Sequence, residues 1–122
     1  MAEKRYTPEE ANSLLPYVAP TLVELREKFE DAVKIRELVA QAAATNGGSP
    51  QRDDWHETLS RVGQLLGRLD EWEIVLRDVS TGLIDFPTTI DGADAWLCWR
   101  LGEAEVAYWH SSEEGFSSRK PL

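Results

Sequence analysis

Apolar residues recur every three or four positions through the middle of this chain and every second position near its end. Leu22, Leu25, Phe29, Ala32, Val33, Val39 and Ala43 form one stripe, broken only by Arg36, while Glu24, Glu27, Lys28, Glu30, Asp31 and Lys34 fill the remaining positions. This is the pattern of a helix with one buried and one solvated face. Upstream, Thr7-Pro8-Glu9-Glu10 reads as a start signal: Thr7 caps, Pro8 fits the first helical position and Glu10 returns a bond to the cap. A short N-terminal helix carrying Ala11, Leu14 and Leu15 is expected to end or kink at Pro16, with a second helix opening at Pro20 or Thr21. Thr45 to Arg52, TNGGSPQR, has the composition of a flexible connection and a length that suits an antiparallel return.

A third helix is expected from near Asp53 or Asp54, with Glu57 completing a capping box from Asp54, to about Ser80. Val62, Leu65, Leu69, Trp72, Leu76 and Val79 keep alternating spacings of three and four, as in a helix packed lengthwise on another. Gly82 is placed to stop it in the left-handed conformation. From Leu83 the period shortens. Asp91-Gly92 and Gly102-Glu103 suit tight turns between runs rich in aromatic and branched residues, which predicts a three-stranded antiparallel meander. The predicted fold class is therefore α+β: a long antiparallel helical hairpin with a short N-terminal helix, packed on a small C-terminal meander. The whole of 1–122 is expected to form one domain, helical over 1–82 and β over 83–122.

A two-residue turn at Gly102-Glu103 would set Trp99 opposite Val106 and Leu97 opposite Tyr108. One face would then carry Ile84, Phe86, Leu97, Trp99, Leu101, Val106 and Tyr108, and the other Asp85, Trp96, Cys98, Arg100, Glu105, Ala107 and Trp109. A three-residue turn would reverse the parity of the last strand and bring His110 beside Cys98 and Arg100. The hairpin is too long for so small a sheet, and the sheet is apolar on both sides. That excess predicts a homodimer in which paired hairpins make a four-helix arrangement; the competing expectation is that the N-terminal helix and the tail cover it within one chain.

Charge narrows the partners. Thirteen Lys and Arg against twenty-two Asp and Glu give a net charge of -9, which opposes binding to nucleic acid or an anionic membrane surface. No run approaches a membrane span and the N-terminus lacks a signal-peptide core. The single Cys98 has no partner for an intramolecular disulfide, and a cytoplasmic location is expected.

YTPEEANSLLP (Tyr6 to Pro16) and LIDFPTTIDGADAWLCWRLGEAEVAYWHSSEEGFSSRKPL (Leu83 to the end) resemble the prokaryotic domain-of-unknown-function 2203 family, most specifically in LCWRLGE and the WH…GF…R combination. The resemblance implies that Asp85, Phe86, Pro87, Cys98, Trp99, Arg100, Gly102, Glu103, Trp109, His110, Gly115 and Arg119 belong to the family's pattern. It implies no activity, cofactor or catalytic role.

The candidate ligand-binding residues are Asp85, Arg100, Glu103, His110 and Arg119. Arg100 could hold a carboxylate or phosphate, and His110 could move protons near neutral pH with an acidic neighbour to orient it. The same residues can serve structure alone: Arg100 pairing with Glu105 or Asp85 across strands, His110 closing the sheet edge, Arg119 pinning the tail. Cys98 is expected to be a small buried strand residue rather than a nucleophile. His110 with Glu113, Glu114 or Asp85 could hold a metal, which leaves a metal protein as a third class, but the spacing matches no recognised ligand motif, and neither a metal nor a cofactor is the expectation. Two functions follow: a homodimeric binding or assembly module, or an enzyme or sensor for a small anionic or aromatic ligand built around Arg100 and His110.

Overall fold

Thr7 and Glu10 open the first helix by exchanging bonds: the Thr7 amide donates to Glu10 Oε1 at 2.9 Å and the Glu10 amide to Thr7 Oγ1 at 3.1 Å. The computed structural model describes residues 4–45 and 51–122, leaving out the side chains of 39, 42–45, 51 and 52. Helix α1, Pro8–Thr45, is continuous over 38 residues and contains both Pro16 and Pro20. The expected short helix ending at Pro16 is thus corrected. The two prolines sit four residues apart on an exposed side, so the lost backbone bonds fall towards water. A break there would split the buried stripe of Ala11, Val18, Leu22 and Leu25. The expected stripe positions Val39 and Ala43 and the connecting residues 46–50 lie outside the described side chains and residues.

Helix α2, Gln51–Glu71, starts before the expected cap, so that Asp53 and Asp54 occupy its first turn. It also stops well before Ser80. The Ile74 amide donates to Leu69 O at 2.9 Å and the Glu73 amide to Asp70 O at 2.9 Å, with Glu73 at φ 57. This is a left-handed closure without glycine. It lets Ile74 enter the core and releases Val75–Asp78 as strand β1. Gly82 does take the left-handed conformation, φ 66, but in the turn from β1 to β2 rather than at a helix end.

The remaining strands are β2 (Leu83–Ile90), β3 (Ala93–Arg100), β4 (Tyr108–Ser111) and β5 (Lys120–Pro121), with a short 3-10 turn at Phe116–Ser118. Together they make one five-stranded antiparallel sheet in the order β1-β2-β3-β4-β5, not a three-stranded meander. Asp91 and Gly92, at φ 53 and φ 79, form the two-residue turn between β2 and β3. Where β1 runs out, the N-terminal segment lies beside β2: Tyr6 donates its amide to Pro87 O at 2.8 Å and Thr88 Oγ1 donates to Tyr6 O at 2.6 Å.

The core lies between the helical hairpin and one face of the sheet. Ala11, Val18, Leu22 and Leu25 of α1 and Val62, Leu65 and Leu69 of α2 pack with Ile84, Phe86, Leu97 and Trp99. Trp109, paired with Leu97, leans on the same cluster, whereas Tyr108 pairs with Cys98 on the far face. This reverses the parity expected for β4. Gly102 does sit in a tight turn, at φ 102 with the Glu103 amide donating to Arg100 O at 3.0 Å, but the chain does not return at once. It first buries Val106 in the core, where the Val106 amide donates to Asn12 Oδ1 of α1 at 2.7 Å. That detour sets the side on which His110 emerges.

Candidate functional site

Alternation along β2, β3 and β4 puts Asp85, Cys98 and His110 on the sheet face away from the helices. Asp85 is directly opposite Cys98, and His110 is opposite Trp96, two residues along from Cys98. All three side chains are buried, and each offers one donor atom within 4.8 Å of the others. His110 Nε2 lies 3.0 Å from Asp85 Oδ2, and Nδ1 lies 2.9 Å from the Ser111 carbonyl. A carbonyl only accepts, so Nδ1 carries a proton. Nε2 is thereby turned towards the Asp85 carboxylate.

Arg77 reaches in from the edge strand β1, its Nε donating to Asp85 Oδ2 at 2.8 Å while the guanidinium lies 5.0 Å over the Trp96 ring. Among the described residues, Asp85 Oδ1 is buried and has no hydrogen-bond partner. Such an atom is uncommon and costly, since it gave up water without replacement. Burial, and then the neighbouring Asp85 carboxylate, push the Cys98 thiol up to about 11. Together with its inaccessibility, this makes Cys98 a poor nucleophile as the chain stands.

A second cluster adjoins the first. Arg119 donates from both terminal guanidinium nitrogens to Glu103, Nη1 to Oε1 at 3.0 Å, and the same Nη1 stands 3.9 Å from Cys98 Sγ. Its guanidinium also lies 4.0 Å over Tyr108 and 4.4 Å over Phe116. Burial raises the Glu103 carboxyl, but the Arg119 bonds and the Arg100 backbone amide outweigh it and hold the group below the usual carboxylate range. The Arg119 guanidinium is raised further by the same pairing.

Of the candidate residues, Asp85 and His110 thus touch each other, and Glu103 and Arg119 touch each other. Arg100 joins only the second pair, through its backbone amide on Glu103 Oε1 at 2.8 Å, and not His110. It stays exposed with its guanidinium 5.2 Å over Phe116, and four strand positions, about 13 Å, separate it from Trp96, which pairs with His110. Sequence reasoning missed Arg77, which it placed within a helix, and discounted Cys98. Cys98 already fell on the face of Asp85; recognising β1 would have added Arg77 to that face, and shifting β4 by one would have added His110.

The fold and site define a two-layer protein: a helical hairpin on one face of an antiparallel sheet, and a buried Asp-Cys-His cluster roofed by arginines and aromatics on the other. The chain matches the family described as Uncharacterized conserved protein (DUF2203) over residues 4–122, and it belongs to that family. No curated protein and no solved structure matches it. Among the described residues no helix is long and apolar enough to cross a membrane.

Proposed function

We propose that this protein is a homodimeric assembly module whose self-association surface is the outer part of the helical hairpin. The observation that carries this reading is an apolar stripe that outlasts the sheet. Helix α1 is about 57 Å long, while the eight-residue strands beneath it span about 27 Å. Phe29 and Val33 continue the stripe of Leu22 and Leu25 at helical spacing, yet are 37% and 56% exposed. Leu59 and Leu66 flank Val62 in the same way on α2 and are 42% and 38% exposed. Two copies related by a two-fold axis present the same stripe to each other, which covers all four positions in each chain. The mixed charges on the flanks, such as the Arg61 and Glu24 pair, leave no single-sign field to oppose this.

The sheet's far face needs no partner, because Arg77 covers Trp96 and Arg119 covers Tyr108. A small-ligand site around Arg100 and His110 has less support: the two stand apart, and Arg119 is already held by Glu103. The test is sedimentation velocity on Val33→Asp/Leu66→Asp. Both positions are exposed in the isolated chain, so the substitutions should leave helicity intact while halving the mass. A variant that keeps the mass of the parent chain contradicts the proposal.

A further inference from the structure

We propose that Asp85, Cys98 and His110 form a binding site for a divalent transition-metal ion of the zinc type, which clamps strands β2, β3 and β4 on the face away from the helices. The three donors come from three hydrogen-bonded neighbouring strands, so the backbone ladder holds their spacing. They lie within 4.8 Å of one another; bond lengths of about 2.0–2.3 Å around zinc require donors roughly 3–4 Å apart. Small side-chain rotations close that difference.

The imidazole is already oriented as a ligand. Its Nδ1–H is spent on the Ser111 carbonyl, which turns Nε2 inward, and metal-bound histidines are commonly steered by such an outer bond. Asp85 Oδ1 supplies the second, independent indication. It is a buried carboxylate oxygen with no hydrogen-bond partner among the described residues, and an ion at this point would satisfy it. Three side chains supply three ligand atoms, which leaves the fourth tetrahedral position to water or another small ligand. The donor set is one nitrogen, one sulfur and carboxylate oxygen, which suits zinc far better than magnesium or calcium.

Charge balances as well. Binding displaces the Cys98 thiol proton and uses the lone pair of His110 Nε2, so the thiolate and the Asp85 carboxylate together neutralise a doubly charged ion. No electron moves. Arg119, 3.9 Å from the sulfur, favours the thiolate so formed. Arg77, whose side chain is 42% exposed at the sheet edge, covers Asp85 and is the group that must move to admit the ion.

The experiment uses untagged full-length protein stripped with a chelator and titrated with Zn2+ or Co2+, with Mg2+ as control. The expected result is one ion per chain with submicromolar Kd, a thiolate-to-cobalt charge-transfer absorption, and a Tm raised by one equivalent of Zn2+ but not by Mg2+. Cys98→Ala, a small-for-small change, should lose the absorption and the Tm shift while its far-ultraviolet circular dichroism stays that of the parent. Failure of the unmodified chain to bind Zn2+ at submicromolar concentration overturns the proposal, as does undiminished binding by Cys98→Ala. Those readouts on the unmodified chain do not depend on how any variant folds.

Discussion

His110 and Asp85 are 25 residues apart in the chain and 3.0 Å apart in space, each with a side chain only 2% exposed. With His110 replaced, Asp85 keeps only the half-exposed Arg77 as a partner against its desolvation cost. His110→Leu is therefore expected to destabilise the metal-free chain by about 3 kcal/mol, and Asp85→Leu/His110→Leu by less than the two single changes added together. Urea unfolding of the four proteins in a double-mutant cycle measures this. Additivity would mean that the contact contributes nothing.

The grip of Arg119 on Glu103 ties the tail to the loop after β3, with both side chains largely buried. Arg119→Ala should cost about 1–3 kcal/mol at neutral pH. Because the folded Glu103 carboxyl lies below its ordinary value, this contribution is complete above the unfolded carboxylate range and fades as pH falls through the folded value. The gap between parent and Arg119→Ala should thus shrink on going from about pH 6 to about pH 3, as read by chemical denaturation. A constant gap would assign the tail's stability to the stacking of Arg119 on Tyr108 and Phe116 instead.

Gly82 and Gly92 both have positive φ, but their surroundings differ. A Cβ on Gly82 would collide with the Leu101 side chain, while one on Gly92 meets open space. Gly82→Ala should therefore lose clearly more stability than Gly92→Ala, which carries only the conformational cost of about 1 kcal/mol. Thermal unfolding of the pair decides it; equal losses would contradict the tight fit between the β1–β2 turn and Leu101.

What could be read from the sequence depended on whether local rules and tertiary packing agreed. At Thr7 and Glu10, and at Asp91-Gly92, they agree, and the capping box and the hairpin turn form as the residues suggest. At Pro16 they conflict. The proline disfavours a helix, but a continuous buried stripe on either side outweighs it. Val75–Asp78 carries a spacing that fits a helix or a strand, and the stop before it is made by Glu73, a residue that gives no warning of a left-handed turn. The candidate site turned on one parity. Asp85 and His110 were picked out as polar residues with chemistry, but their meeting depends on Val106 being drawn to α1, a long-range contact that spacing near Gly102 does not reveal.

The proposed assembly requires the hairpin's exposed stripe to be covered by a second copy. Sedimentation equilibrium of the unmodified chain at micromolar concentration tests that directly. A mass twice the 13.8 kDa of one chain is predicted, and a mass of 13.8 kDa across the concentration range would contradict it.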